Sequence, residues 1–339
     1  MKSRVTSRDV AKEAGVSQTL VSFVLNGTEG KNIKPETRER VFEAAKKLGY
    51  RVNINAKNMR SQSSSAIGII SGWQTSSFVF APLVDGIKSV CSEIDLSMVL
   101  CSGKRDVDGE YDFKKYYMQN RIDGVIFISY VGIAEEGIIE ELIASQIPFV
   151  CVKGAKDIES ISSIDVDYVQ SARLAVSYLA ECGYKDICYV LKKKTKDLNY
   201  AEAERLQGCI EAAGECGINL IQYEGFIGCE NDNDFYTASD QLLNSGINFD
   251  AFLSTSFECF CVMKMSAKRG IKIPERFGVM SLDNETYVKF LYPSLTTIDE
   301  PLYDMGITAM KMLLSYIKSG AQAKKAALPA GISVRESTK

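Results

Sequence analysis

The first fifty residues constrain the fold most, because three short helices can be read there from caps and periodicity. Thr6 and Asp9 have the spacing of a capping box, opening a helix that turns Val10, Ala11 and Ala14 inward before Gly15 stops it. Ser17 caps a second helix whose Leu20, Val21, Val24 and Leu25 form one apolar stripe, and Asn26-Gly27 closes it. Pro35 sits in the first turn of a third helix, with Val41, Ala44, Ala45 and Leu48 on one face and Gly49 behind it. A small residue where helices touch (Ala11), a glycine turn (Gly15) and apolar anchors on the next helix (Val21, Val24) meet the demands of a helix-turn-helix.

A plain three-helix bundle would bury the same stripe. It would not require the second helix to leave Ser17, Gln18, Thr19 and Ser22 outward, where short polar side chains reach base edges and phosphates in a major groove. Charge points the same way. Residues 1–60 hold 13 Lys+Arg against 6 Asp+Glu, a net of +7, while the other residues hold 27 against 37, a net of −10. A basic head on an acidic body leaves the head as the part suited to a polyanion.

The runs Asp9–Ser17, Val21–Gly27, Pro35–Val41 and Leu48-Gly49-Tyr50 together resemble the DNA-binding headpiece of the LacI/GalR (lactose-repressor) family. The resemblance implies a DNA-contacting set of Thr6, Ser17, Gln18, Thr19, Ser22, Asn26 and Tyr50, with Gln18 and Thr19 reading bases. Phe23 stands where the family usually has arginine, so no operator sequence carries over. Asn53–Arg60 resembles the family's hinge helix, which adds Asn53, Ala56, Lys57, Met59 and Arg60 to the set. Met59 replaces the usual leucine as an apolar wedge for the minor groove. Ser61–Ser65 follows as a flexible linker.

From residue 66 onward, apolar strands alternate with helical patterns, as in parallel α/β layers. Ala66–Ile70, Val125–Ile128 and Phe149–Val152 form one series; Ile187–Leu191, Ala251–Leu253 and Val279–Ser281 form a second. Two series predict two lobes with a ligand cleft between them. The resemblance extends here through Val166-Asp167, Arg205-x-x-Gly208, Pro293-x-Leu295-Thr296-Thr297, Met305-Gly306 and a terminal strand Ser333–Ser337. The expected fold is an all-α helix-turn-helix headpiece (1–52), a hinge and linker (53–65), and an α/β two-lobed periplasmic-binding-protein-like effector domain (66–339). The first lobe is expected to take about 66–164 and 288–318, the second about 165–287 and 319–339.

The resemblance places the effector against Ser77, Phe78, Phe80, Lys153, Arg205, Phe226 and Asp283. For the aromatics, core packing is the competing role; for Lys153, a solvated rim position. Thr255-Ser256 replaces the family's Asn-Asp pair, thinning the usual sugar-hydroxyl acceptors. Lys153 and Arg205 together would favour an anion, so the expected effector is a sugar or sugar derivative, with a carboxylate or phosphate on it left open.

Other classes are narrowed by composition. Histidine is absent, which removes Ser–His–Asp and Cys–His catalysis and the commonest transition-metal ligand. An enzyme would need a carboxylate pair such as Asp165 and Asp167, whose spacing suits turns and caps better. The ten cysteines form no Cys-x-x-Cys pair and read as reduced, mostly buried thiols. The charged N-terminus and the lack of a long apolar run predict a cytoplasmic, nucleoid-associated bacterial protein with no membrane partner. No cofactor, metal or catalysis is expected. The expected partners are operator double-stranded DNA, a sugar-like effector and a second copy in a homodimer; a cytoplasmic solute receptor without specific DNA readout is the alternative.

Overall fold

A computed structural model describes residues 5–25, 33–50, 64–72, 77, 79–129, 137–156, 158–320 and 323–339. The expectations for Asn26, for the hinge residues 53–60 and for Phe78 lie outside the described residues. The chain divides into two compact units, Met1–Ser64 and Ser65–Lys339.

In the first unit, α1 (Ser7–Ala14), α2 (Gln18–Leu25) and α3 (Pro35–Leu48) enclose a small core of Val10, Ala11, Ala14, Val21, Val24, Val41, Ala44 and Ala45. Asp9 accepts both the Thr6 N–H (2.8 Å) and the Thr6 hydroxyl (2.7 Å), fixing the start of α1. Gly15 (φ 63°) and Gly49 (φ 65°) adopt the left-handed conformation that ends α1 and α3, where a side chain would be strained. Half of that core is alanine, so the helices pack closely and bury little area.

The second unit holds two six-stranded sheets. In chain order, its first sheet comprises β1 (Ala66–Ser71), β2 (Ser97–Leu100), β3 (Val125–Ile128), β4 (Phe149–Val152), β5 (Ser162–Val166) and, from far downstream, β11 (Lys325–Leu328). The spatial order is β11-β5-β4-β3-β1-β2, with every pairing parallel. The second sheet has the order β12-β10-β9-β8-β6-β7, from β6 (Asp186–Val190), β7 (Asn219–Tyr223), β8 (Ala251–Ser254), β9 (Gly278–Ser281), β10 (Thr296–Asp299) and β12 (Gly331–Ser333). Here only the β10–β12 pair is antiparallel. Burial on both faces of the central parallel strands β1, β3, β4, β8 and β9 explains why these read as unbroken apolar runs.

The chain crosses between lobes between β5 and α7 (Tyr168–Glu181), between β10 and α11 (Leu302–Ser319), and between β11 and β12. These crossings correct the expected lobe boundaries. Thr296–Asp299 belongs to the second sheet, where the expectation puts 288–318 in the first lobe; Lys325–Leu328 belongs to the first sheet, where the expectation puts 319–339 in the second. Each strand joins the sheet where its backbone finds a partner, β10 between β9 and β12 and β11 beside β5, and apolar periodicity does not say which sheet that is. The expected terminal strand also ends early, at Ser333. Beyond it, the Arg335 N–H donates to the Thr296 hydroxyl (2.9 Å) and the Val279 N–H to the Ser337 carbonyl (2.8 Å), so irregular backbone is satisfied without a ladder.

In the first lobe α4 (Phe80–Glu93) packs on α11, and in the second α7 packs on α8 (Tyr200–Cys216). Glycines permit both crossings. A Cβ on Gly306 would lie 2.1 Å from the Leu83 carbonyl oxygen, and one on Gly208 would lie 2.3 Å from that of Val169. Gly208 in the Arg-x-x-Gly motif is therefore a packing residue.

Candidate DNA-reading face and interlobe cleft

The headpiece presents α2 with Val21 and Val24 buried and Gln18 and Thr19 exposed, as the stripe predicts. Ser17 caps it by accepting the Leu20 N–H at 3.2 Å. Gln18 Nε2 donates to Ser7 Oγ (2.8 Å), which braces its side chain across the turn from α1. Ser22 is half-buried, and Thr6 is exposed but engaged with Asp9. Tyr50 is half-buried against the headpiece core, with its N–H on the Ala45 carbonyl (2.9 Å). Of the expected DNA contacts, Ser17, Gln18 and Thr19 thus share one exposed edge. Hydrogen bonding to Thr6 holds the Asp9 carboxyl below the usual carboxylate range.

The cleft is built from the strand ends and crossings of the second unit. Lys153 follows β4, Arg205 lies in the second turn of α8, and Glu300 sits on the crossing after β10. Glu300 Oε2 meets Lys153 Nζ at 2.6 Å and its Oε1 meets Arg205 Nη2 at 3.2 Å. The Glu300 and Lys153 side chains are 4% and 7% exposed, so this is an ion-paired interior. Tyr168 lies beneath both cations, its ring centre 4.7 Å from the Arg205 guanidinium carbon and 5.9 Å from Lys153 Nζ. The Tyr200 hydroxyl donates to Asp165 and accepts the Gly154 N–H at 2.8 Å. Lys156 grips Glu204 through both oxygens, at 2.6 and 2.7 Å.

Burial pushes the Asp165 carboxyl upward, partly offset by the Tyr200 hydrogen bond. Burial opposes the charge of Arg205, yet Glu300 and Tyr168 hold its pKa above the ordinary value. Around the ends of β8 and β9, Asp283 accepts the Ser256 N–H (2.8 Å) and hydroxyl, while Glu258 accepts from Thr255 and pairs with Lys192 at 3.3 Å. Glu285 beside them is pushed up to about 7, by burial first and then by Asp283 and Glu258.

Several expectations change. Lys153 is neither a rim lysine nor a free cation, and Arg205 is not free for an anion, because Glu300 takes both. Phe226 is 1% exposed amid Tyr223, Phe235 and Phe252, so it packs the second-lobe core. Phe80 is half-buried on the first-lobe core, and Ser77 accepts the Val79 N–H (3.3 Å) just ahead of α4. Asp283 is half-buried just after β9, where its carboxylate is taken up by Ser256 and Ser281. Asp167 caps α7 by accepting the Gln170 N–H (2.9 Å), and Asp165 serves Tyr200. Glu300, Tyr168 and Tyr200 are cleft residues that sequence reading missed; the one local signal was a carboxylate preceding Pro301 at a crossing.

The space that remains is divided. A recess of about 30 Å³ beside Leu191, Lys192, Arg205 and Thr255 has room for little more than water. A groove of about 290 Å³ spans the lobes between Pro82, Asn284, Thr286 and Glu300–Asp304, near the lower end of small-molecule sites.

Residues 6–53 match the family described as bacterial regulatory proteins, lacI family, and residues 176–338 match a periplasmic binding protein-like domain. Catabolite control protein A of Priestia megaterium is 30% identical over 337 residues, covering 99% of each protein. That of Staphylococcus xylosus is also 30% identical, over 339 residues and 99% of each. Among solved structures, the Lac repressor bound to ONPG in its repressed state gives a TM-score of 0.76 at 23% identity, covering 99% of this chain and 100% of that one. The complex of the transcriptional regulator CelR with cellobiose gives 0.66 at 24% identity, covering 98% and 100%. At those identities the two structures speak for the fold.

Proposed function

The chain belongs to the LacI family of bacterial regulatory proteins, and from that membership we propose that it is a sequence-specific repressor whose operator affinity follows a small neutral effector in the interlobe cleft. The observation that carries the reading is the exposed edge of α2, with Ser17, Gln18 and Thr19 outward and Val21 and Val24 anchored inward. A braced polar edge of this kind suits direct base contacts in a major groove. Asn53, Ala56, Lys57, Met59 and Arg60 supply the accompanying minor-groove contact, with Met59 as wedge.

The protein acts as a homodimer, each headpiece taking one half-site of a near-palindrome. Lobe closure sets the spacing of the two headpieces and so couples the cleft to DNA. Effector chemistry follows from the charges: Glu300 pairs with both Lys153 and Arg205, and Asp165 is a second carboxylate beside Lys153, which supports an uncharged, hydroxyl-bearing ligand of monosaccharide size in the 290 Å³ groove. The related CelR holds cellobiose in its solved complex. Binding rather than catalysis is the role of the cleft, since its candidate acid pair is used for capping and for Tyr200.

The test is selection of sites from random duplex DNA by the full-length chain, repeated with Thr19→Ala. The expected result is an enriched palindrome whose half-sites lie about 10 base pairs apart, with relaxed preference at one position in the variant. Binding without any sequence preference would overturn the reading and favour a solute receptor.

A further inference from the structure

We propose that Glu300 is a built-in counter-ion: its carboxylate fills the place between Lys153 and Arg205, latches the lobes without a ligand, and makes the cleft refuse acidic effectors. The proposal rests on the regulator reading for its consequence, but its geometry stands alone. Glu300 gives one oxygen to each lobe, Oε2 to Lys153 of the first at 2.6 Å and Oε1 to Arg205 of the second at 3.2 Å. A small bound carboxylate bridging two cations would place its atoms in the same way.

The latch is continuous. Residues 153–156 of the first lobe meet the opening turns of α8 through the Gly154 N–H on the Tyr200 hydroxyl and through Lys156 on Glu204. Lys153 itself sits at φ 61°, a conformation rare for a long side chain and held here by its surroundings. Counting Asp165 with Glu300 against Lys153 and Arg205, two carboxylates face two cations. An arriving anion therefore meets a neutral site and would have to displace Glu300 to gain a partner. Removing that carboxylate would leave one buried positive charge uncompensated and both cations without their shared partner, a destabilised state that recruits an anion of matching size.

Hydrogen exchange on the ligand-free, full-length protein tests this without DNA, so a failed site selection and a failed latch are separable. In the wild type, segments 152–156 and 199–206 should be protected, and acetate should change nothing relative to acetamide. In Glu300→Ala, exchange in both segments should rise at least about tenfold, and acetate but not acetamide should restore protection, because it returns the missing carboxylate. Strand β8 serves as the reference for global folding. If the alanine variant fails to fold, Glu300→Gln fills the same space without the charge and should show the same loss of protection. Wild-type protection in a folded variant would overturn the latch. Equal effects of acetate and acetamide, or a wild type that responds to acetate, would overturn the counter-ion role.

Discussion

Gly306→Ala sets helix propensity against packing, and the structure says which wins. Propensity alone favours alanine inside a helix by about 1 kcal/mol. The new Cβ, however, would lie 2.1 Å from the Leu83 carbonyl oxygen and 3.1 Å from the Ile87 nitrogen. Both are backbone atoms of α4, so no rotamer change relieves the contact. The helices must part by more than about 1 Å to regain ordinary separation, loosening a seam where Leu83, Ile87, Met305 and Met310 are buried. Overpacking of this kind costs about 1–3 kcal/mol or more, and the rigid obstacle puts it at the upper end, for a net loss of about 1–3 kcal/mol after the propensity gain. Gly86 faces the same seam, its Cβ falling 2.0 Å from the Tyr303 carbonyl oxygen. Since one separation relieves both clashes, the double alanine variant should lose less than the sum of the singles. Urea unfolding followed by circular dichroism gives the midpoints. Gly214→Ala is the control, because it is an exposed helical glycine whose Cβ meets nothing within 4 Å, and alanine there should stabilise. A Gly306→Ala midpoint raised as far as that of Gly214→Ala would refute the argument.

Three further outcomes follow from the geometry. Gln18→Ala should weaken operator binding by about 1–3 kcal/mol and relax preference at one base pair, measured by titration against the selected site and single mismatches. Glu285 titrates at about 7 in the folded chain against an ordinary 4.5, so the folded state holds an extra proton between those values and stability falls as pH rises through that window. Glu285→Gln should therefore stabilise by about 1–2 kcal/mol at pH 8, after allowance for solvent contact, and change little near pH 4; an equal effect at both pH values would contradict it. Thiol titration of the native chain should label exposed Cys216 first and half-buried Cys182 and Cys229 more slowly, with the seven buried cysteines reacting on unfolding. Prompt reaction of Cys151 or Cys209, both pushed up to about 12 by burial, would show a looser body.

What could be read from the sequence divides along a physical line. Caps, glycine stops and the α2 stripe are local, each spanning a few residues, and the headpiece core follows them residue by residue. Strand runs such as Val125–Ile128 and Ala251–Leu253 are equally plain, but β10 (Thr-Thr-Ile-Asp) and β11 (Lys-Ala-Ala-Leu) carry no such run, and the lobe bounds expected around them fall on the wrong side of the crossings. In the cleft, Lys153 and Arg205 were visible as cations, but their partner lies 147 and 95 residues downstream, and nothing local ties it to them. An aromatic side chain reads the same in sequence whether it stacks on a ligand ring or fills a core, and Phe226 fills a core.

The placement of β11 and β12 has a consequence for how the chain is made. Each lies at the edge of a different sheet, and only two residues separate them along the chain. Until that short segment is available, neither sheet can complete its edge. The small headpiece, made first and closed on its own core, has no such wait. Both edges therefore wait on the same stretch of chain, so the two lobes are completed together and later than the headpiece.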